Sequence, residues 1–198
     1  MNIHPIFVHF PIALLTLYAV LEIAIPLKIK FYKLCKWDRP ESSPRLAKLY
    51  QLLITPVWNY IKAFLVIVGT VLALPTLQTG EWAEEKYMSY ASDYTTFAQS
   101  EVGQLIELHS TFATTTVIVF AILAIAYLLR LLPSLISLPQ SVQAVSTKIQ
   151  SIVLNAYIAP LLALLGIIAV TITGALGGAI AHGADTDPVV QMIYSLFF

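Results

Sequence analysis

The chain has 198 residues, of which 58% are hydrophobic and only 11% charged, with no net charge and a mean hydropathy of +0.80. An ordinary soluble domain carries about 25% charged residues, so this composition excludes a water-soluble globule and a disordered chain, and the zero net charge argues against nucleic-acid binding. The single cysteine, Cys35, excludes an internal disulfide framework and a multi-cysteine metal site. What remains is a small integral membrane protein in one domain, 1–198.

A spanning helix takes about 20 mostly apolar residues. Four stretches qualify: 5–27, 55–77, 105–132 and 152–180. Lipid offers the backbone no hydrogen-bond partners, so each should be a helix. The predicted fold is an all-α four-helix membrane bundle. Nothing positive precedes the first apolar run, so that run is expected to stay as a span rather than leave as a signal peptide.

The first stretch opens on His4, Pro5, His9 and Pro11. Proline suits the first helical position, which puts His4 at the cap. Phe10 precedes Pro11 and is pushed away from helical angles, so a kink or a restart is expected there. Five residues separate His4 from His9, about 140° around a regular helix. The two should therefore belong to different ligand pairs, or one of them is interfacial. Glu22 lies near the far end of this stretch.

The first polar segment, 28–54, holds Lys28, Lys30, Lys33, Lys36, Arg39, Arg45 and Lys48 against Asp38 and Glu41. Lys62 follows in the second stretch. Glu22 and Lys62 both fall roughly 9–11 Å below the same membrane surface. Intramembrane charges are usually paired, so a structural ion pair that fixes register is expected. A proton-handling pair is the less favoured reading, because no acidic chain leads away from it.

The second polar segment, 78–104, is acidic, with Glu81, Glu84, Glu85, Asp93 and Glu101. Its aromatics Trp82, Tyr87, Tyr90, Tyr94 and Phe97 fit an amphipathic segment at the headgroup level. Arg130 and Lys148 rejoin the basic side, while Glu107, Asp185 and Asp187 join the acidic side. Nine Lys and Arg thus face one side and Lys86 alone the other. The positive-inside rule then places both termini outside, which in a bacterium is the periplasm.

All four histidines, His4, His9, His109 and His182, fall at helix ends in one outer layer. Imidazole suits Zn, Cu, Fe and Ni and is the axial ligand of many haems. Two facing histidines can clamp one haem, and four can hold two haems or another metal centre. Gly174, Gly177 and Gly178 would let a flat macrocycle approach the backbone, although small residues serve helix packing equally well. For one histidine alone an interfacial cap is the commoner explanation; for the set, a cofactor stands at least level with it. Glu81, Glu101 and Glu107 suggest a competing His–carboxylate dinuclear site. Glu107 and His109, two apart, point to different helix faces.

HPIFVHFPIALL at 4–15 resembles the opening of a bacterial membrane family called domain of unknown function 2231 (DUF2231). Its members look like four-helix proteins opening with HPxxVHFPIAL, with a later histidine near the start of helix three and a GG-x-x-x-x-HG ending. The matching residues here are His4, Pro5, Val8, His9, Phe10 and Pro11, then His109, then Gly177, Gly178, His182 and Gly183. The long basic first loop and long acidic second loop depart from that pattern. Relatives occur fused to or beside c-type cytochromes, and the architecture is similar to two-haem b-type cytochromes. The resemblance implies electron transfer.

The combined expectation is an integral protein of the bacterial inner membrane that binds one or two b-type haems near the outer face. His9 with His109 or His182 are the leading ligands and His4 is the fourth candidate. It would pass electrons between quinol and a c-type cytochrome or a larger respiratory or photosynthetic complex. The alternatives are a non-haem Cu or Zn site on the same histidines, and a cofactor-free accessory subunit of a membrane complex.

Overall fold

The computed structural model describes residues 4–36, 43–89 and 94–198. Among them every regular element is helical: α1 (His4–Leu34), α2 (Pro44–Leu53), α3 (Val57–Ser89), α4 (Tyr94–Gln99), α5 (Glu101–Leu131), α6 (Gln140–Val153), α7 (Ile158–His182) and α8 (Pro188–Tyr194). Four of these, α1, α3, α5 and α7, are long and apolar enough to cross a membrane. They form an all-α four-helix bundle.

The long helices outrun the apolar stretches that specify them. α1 continues to Leu34 through Lys28, Lys30 and Lys33, and α3 continues to Ser89 through Glu81, Glu84, Glu85 and Lys86. Lys and Glu are strong helix formers, and long charged side chains reach water from a helix that projects past the lipid. α1 stops where Lys36 takes a positive φ of 55°. α5 starts early because the Ser100 hydroxyl accepts from the Gly103 amide and caps it. α7 starts late, at Ile158, because residues 140–153 form the separate helix α6 and the chain turns on Asn155, whose Oδ1 accepts from the Tyr157 amide.

At the start of α1, His4 is the first helical residue rather than a cap outside the helix, and of the kink or restart expected at Pro11 the restart does not occur, because the helix continues through it. Proline has no N–H, so the carbonyl four residues earlier, on Phe7, loses its helical donor. The Thr76 hydroxyl of α3 reaches that carbonyl at 3.1 Å, sharing its single proton with its own Leu72 carbonyl, also at 3.1 Å. A threonine from the neighbouring helix thus supplies what the proline removed, a device that membrane helices commonly use.

The four spans close into a ring, each packed on two neighbours in the order α1, α3, α5, α7. Two glycines set how close they come. A Cβ on Gly69 of α3 would stand 2.8 Å from the Leu15 side chain of α1, and one on Gly166 of α7 would stand 2.6 Å from Phe120 of α5. The centre of the ring is filled by Leu15, Tyr18, Val66, Phe120, Leu123 and Tyr127. Tyr18 meets both Phe120 and Tyr127 edge-on, at centroid distances of 6.1 and 6.0 Å, an arrangement that suits the ring quadrupoles. A second cluster, with Leu105, Leu176, Ala179, Val190 and Ile193, closes the opposite end under α8. The end that carries α2 and α6 is basic, and the end that carries α4 and α8 is acidic.

Candidate functional site

Among the described residues, two titratable features stand within the bundle, one near each end. The first, toward the basic end, contains Glu22 of α1 and Lys62 of α3, only 4% and 7% exposed. Lys62 Nζ donates to Glu22 Oε1 at 3.2 Å, as the matched depths of the two residues predict. Tyr127 of α5 donates its hydroxyl to Glu22 Oε2 at 2.7 Å. Lys62 also stands 5.9 Å from the centre of the Tyr127 ring, within reach of its negative face. Each carboxylate oxygen therefore has a donor from a different helix, and one acid ties α1, α3 and α5 together. Tyr18, one turn before Glu22 on α1, lies fully buried beside them. Sequence reading found the ion pair but missed both tyrosines. Tyr18 carried a signal, since it lies four residues from an intramembrane acid and so on its face of the helix. Tyr127 comes from a distant span and carried none.

The second feature is His109, half-buried between α5 and α7 near the acidic end. Its Nδ1 donates to the Thr173 carbonyl of α7 at 2.9 Å. Thr173 Oγ1 itself bonds back to Ala169, so the contact uses only the threonine backbone. The imidazole packs against Gly177 through its Cε1, which a Cβ there would approach to 3.0 Å. The carbonyl fixes the proton on Nδ1 and leaves the ring's lone pair on Nε2 when the imidazole is neutral.

The other histidines are placed differently. His9 is exposed; nine residues before Tyr18, it lies about 180° around α1 from the buried stripe. His182 is exposed at the last residue of α7. Contacts across α5 and α7 pair His109 with Gly177 and Phe120 with Gly166, which sets His182 about 7 Å further toward the acidic end than His109. Contacts across α1 and α5 pair Tyr18 with Phe120 and Glu22 with Tyr127. By that register the backbone of His4 is level with His109, and His9 lies about one turn deeper. The His4 side chain lies outside the described residues' side chains.

The three glycines have three separate surroundings. Gly177 receives the His109 ring, Gly178 receives Val190 of α8, and Gly174 has open space before it. Gly174 borders a cleft of about 320 Å³ between α1, α7 and α8, lined by Ile12, Thr16, Thr171 and Val189 among others. That volume falls at the lower end of small-molecule sites. The cleft, bordered by Gly174, and the His109 ring, against Gly177, adjoin α7 at positions about 60° apart. Gly183 ends α7 with φ +93°, a positive φ that glycine adopts without a Cβ clash. The turn after it leads into α8, where Asp187 Oδ1 accepts from the Val189 and Val190 amides.

Glu101 accepts from the Tyr194 hydroxyl of α8, Glu81 accepts from Gln78, and Glu107 is exposed. Among the described residues no three His, Cys, Asp or Glu side chains gather as a metal-holding group. Of the loop aromatics, Trp82 and Tyr87 ride on the extension of α3 and Phe97 on α4; Tyr90 lies outside the described residues. The chain matches no family profile, no curated protein and no solved structure.

Proposed function

We propose that the protein is a membrane electron-transfer subunit that holds b-type haem at the acidic, outward end of the bundle, with His109 as an axial ligand. The observation that carries this reading is the His109 Nδ1 bond to the Thr173 carbonyl. Ligating histidines almost always donate their second ring nitrogen to a carbonyl or carboxylate, which orients the ring and strengthens it as a donor. The absence of a side chain at Gly177 leaves room for that ring. Haem, when bound, supplies one-electron exchange at its iron.

His4 is the best partner for His109. Its backbone position is level with His109, whereas His9 and His182 are exposed. This revises the pairing that the sequence favoured, His9 with His109 or His182, and reduces the expected count to one haem per bundle. The resemblance of 4–15 to the DUF2231 opening supports the same reading. The redox partners that fit are membrane quinol on one side and an external c-type cytochrome or larger complex on the other.

A pyridine haemochrome spectrum of the purified protein tests this. Wild type should contain b-type haem, His109→Gln and His4→Gln should each abolish the low-spin band, and His9→Gln and His182→Gln should retain it. Absence of haem from wild type, or full haem in His109→Gln, overturns the reading.

A further inference from the structure

A surface helix in water buries an apolar stripe and exposes its polar residues. In α6 the arrangement is reversed. Its buried residue is Ser146, 3% exposed, with Gln150 half-buried one turn later. Ser146 Oγ and Gln150 Nε2 donate to the Leu129 carbonyl of α5 at 3.3 and 3.1 Å, and Gln150 Nε2 also reaches Ser146 Oγ at 2.9 Å. The cause lies in α5. Pro133 stands four residues after Leu129 and has no N–H, so the chain supplies that carbonyl with no helical donor. An unbonded carbonyl at a buried helix end is costly. The polar side of α6 is turned inward to satisfy it, and the apolar residues Val142, Val145, Ile149 and Ile152 are left exposed.

Those four side chains fall within about 80° of one another around the helix. Gln143, Thr147 and Ser151, all exposed, occupy the opposite side. Lys148 lies about 40° beyond Ile152 and about 160° from both Ser146 and Gln150, so it projects away from the bundle. It makes no ion pair among the described residues. The helix thus has four faces at roughly quarter turns: one docked on α5, one polar, one cationic and one apolar. A helix lying in the surface of a bilayer beside a bundle meets four surroundings in that arrangement, namely protein, water, headgroups and acyl chains. Charge at this end of the molecule agrees. Arg130, next to Leu129, is exposed, and among the described residues this end has no carboxylate besides the buried Glu22.

We propose that α6 is an interfacial helix that seats an anionic phospholipid, with Val142, Val145, Ile149 and Ile152 on the acyl chains and Lys148 on the headgroup phosphate. The anionic lipid is favoured over a neutral one because the stripe is flanked by an unpaired cation at an end of the molecule without an exposed described acid, and a cation near a negatively charged lipid surface is attracted to it. A long lysine stem also lies along apolar surface while its ammonium reaches the headgroups. The seat is independent of whatever the histidines bind at the other end.

The test uses the full chain in phospholipid vesicles, with its single cysteine replaced, Cys35→Ser, and a fluorophore attached at Val145→Cys, Ile149→Cys or Thr147→Cys in turn. Phosphatidylcholine with brominated acyl chains should quench the labels at 145 and 149 and leave the label at 147, on the polar side, largely unquenched. Brominated phosphatidylglycerol at the same mole fraction should quench the label at 149 more strongly. Lys148→Gln should lower that preference by up to about fivefold, the share of one cation near a charged lipid surface. Labels at 145 and 149 that neither lipid quenches would show that water, a second copy or another protein covers the stripe, and would overturn the proposal. Equal quenching by the two lipids, or a preference that survives Lys148→Gln unchanged, would equally overturn it, since Lys148 would then hold no anionic headgroup.

Discussion

Glu22 has more partners than an ion pair alone would give it, and those partners set the cost of removing any one of them. Lys62→Met keeps the length of the side chain but leaves the Glu22 carboxyl, 4% exposed, with Tyr127 as its hydrogen-bond donor in the structure. Breaking one partner of a buried pair costs about 3–5 kcal/mol. Glu22→Gln added to Lys62→Met removes the uncompensated charge and should recover much of that loss, so the two single effects should be strongly non-additive. Thermal unfolding of the single and double variants in lipid measures this; simple additivity would show that the pair does not couple. The pair was legible in the sequence because consecutive spans run antiparallel and the two charges lie at equal depth. The azimuth of a side chain was not legible. His9 and His109 look alike in sequence, yet one is turned away from Tyr18 and the other rests on Gly177. That difference depends on which stripe of each helix faces the ring.

At the scale of helices, the prolines and glycines of the terminal motifs have structural tasks that composition does not show. Pro11 frees the Phe7 carbonyl, and Thr76 of α3 binds it, so the proline fastens the N-terminal end of α1 to its neighbour. Thr76→Val is nearly isosteric and removes only the hydroxyl. It should cost on the order of 1 kcal/mol by leaving that carbonyl unbonded, while Thr76→Ser should retain most of the stability. Equal stability of all three forms in a thermal-shift series would show that Phe7 finds another donor. The four spans were legible because hydropathy reports lipid contact directly. Their ends were not, because a helix need not stop where the lipid does: α1 and α3 carry their charges onward into water. The short helices were hidden in segments that average polar. In α6 the exposed residues Val142, Val145, Ile149 and Ile152 recur at helical spacing, while Ser146 and Gln150 bond to the Leu129 carbonyl of α5. The period was there to be read, but the segment is too short and too polar to resemble a span.

At the scale of the whole molecule, the two ends of the bundle are electrically opposite. The described residues at the end of α2 and α6 include Lys28, Lys30, Lys33, Lys36, Arg45, Lys48, Arg130 and Lys148, whereas the other end has Lys86 alone among its Lys and Arg. An even number of spans puts both termini on the same side, and the Tyr194 to Glu101 bond ties the C-terminal helix α8 to the acidic end of α5. Lys and Arg resist translocation, whereas Asp and Glu contribute little to orientation. The nine-to-one distribution of Lys and Arg in the whole sequence therefore predicts both termini outside, and the acidic surplus is expected to follow from that topology rather than to set it. Alkaline phosphatase fused after Phe198 should be active, because it folds only outside the cytoplasm, and a green fluorescent reporter at the same site should stay dark. Inserted into the basic segment between α1 and α3, the two reporters should exchange behaviour. Neutralising the basic residues of that segment should produce a mixed population, whereas neutralising Glu81, Glu84 and Glu85 should leave the orientation unchanged. A fluorescent C-terminal fusion would reverse the molecule in the membrane. It would then put His109 on the cytoplasmic side, out of reach of any external cytochrome.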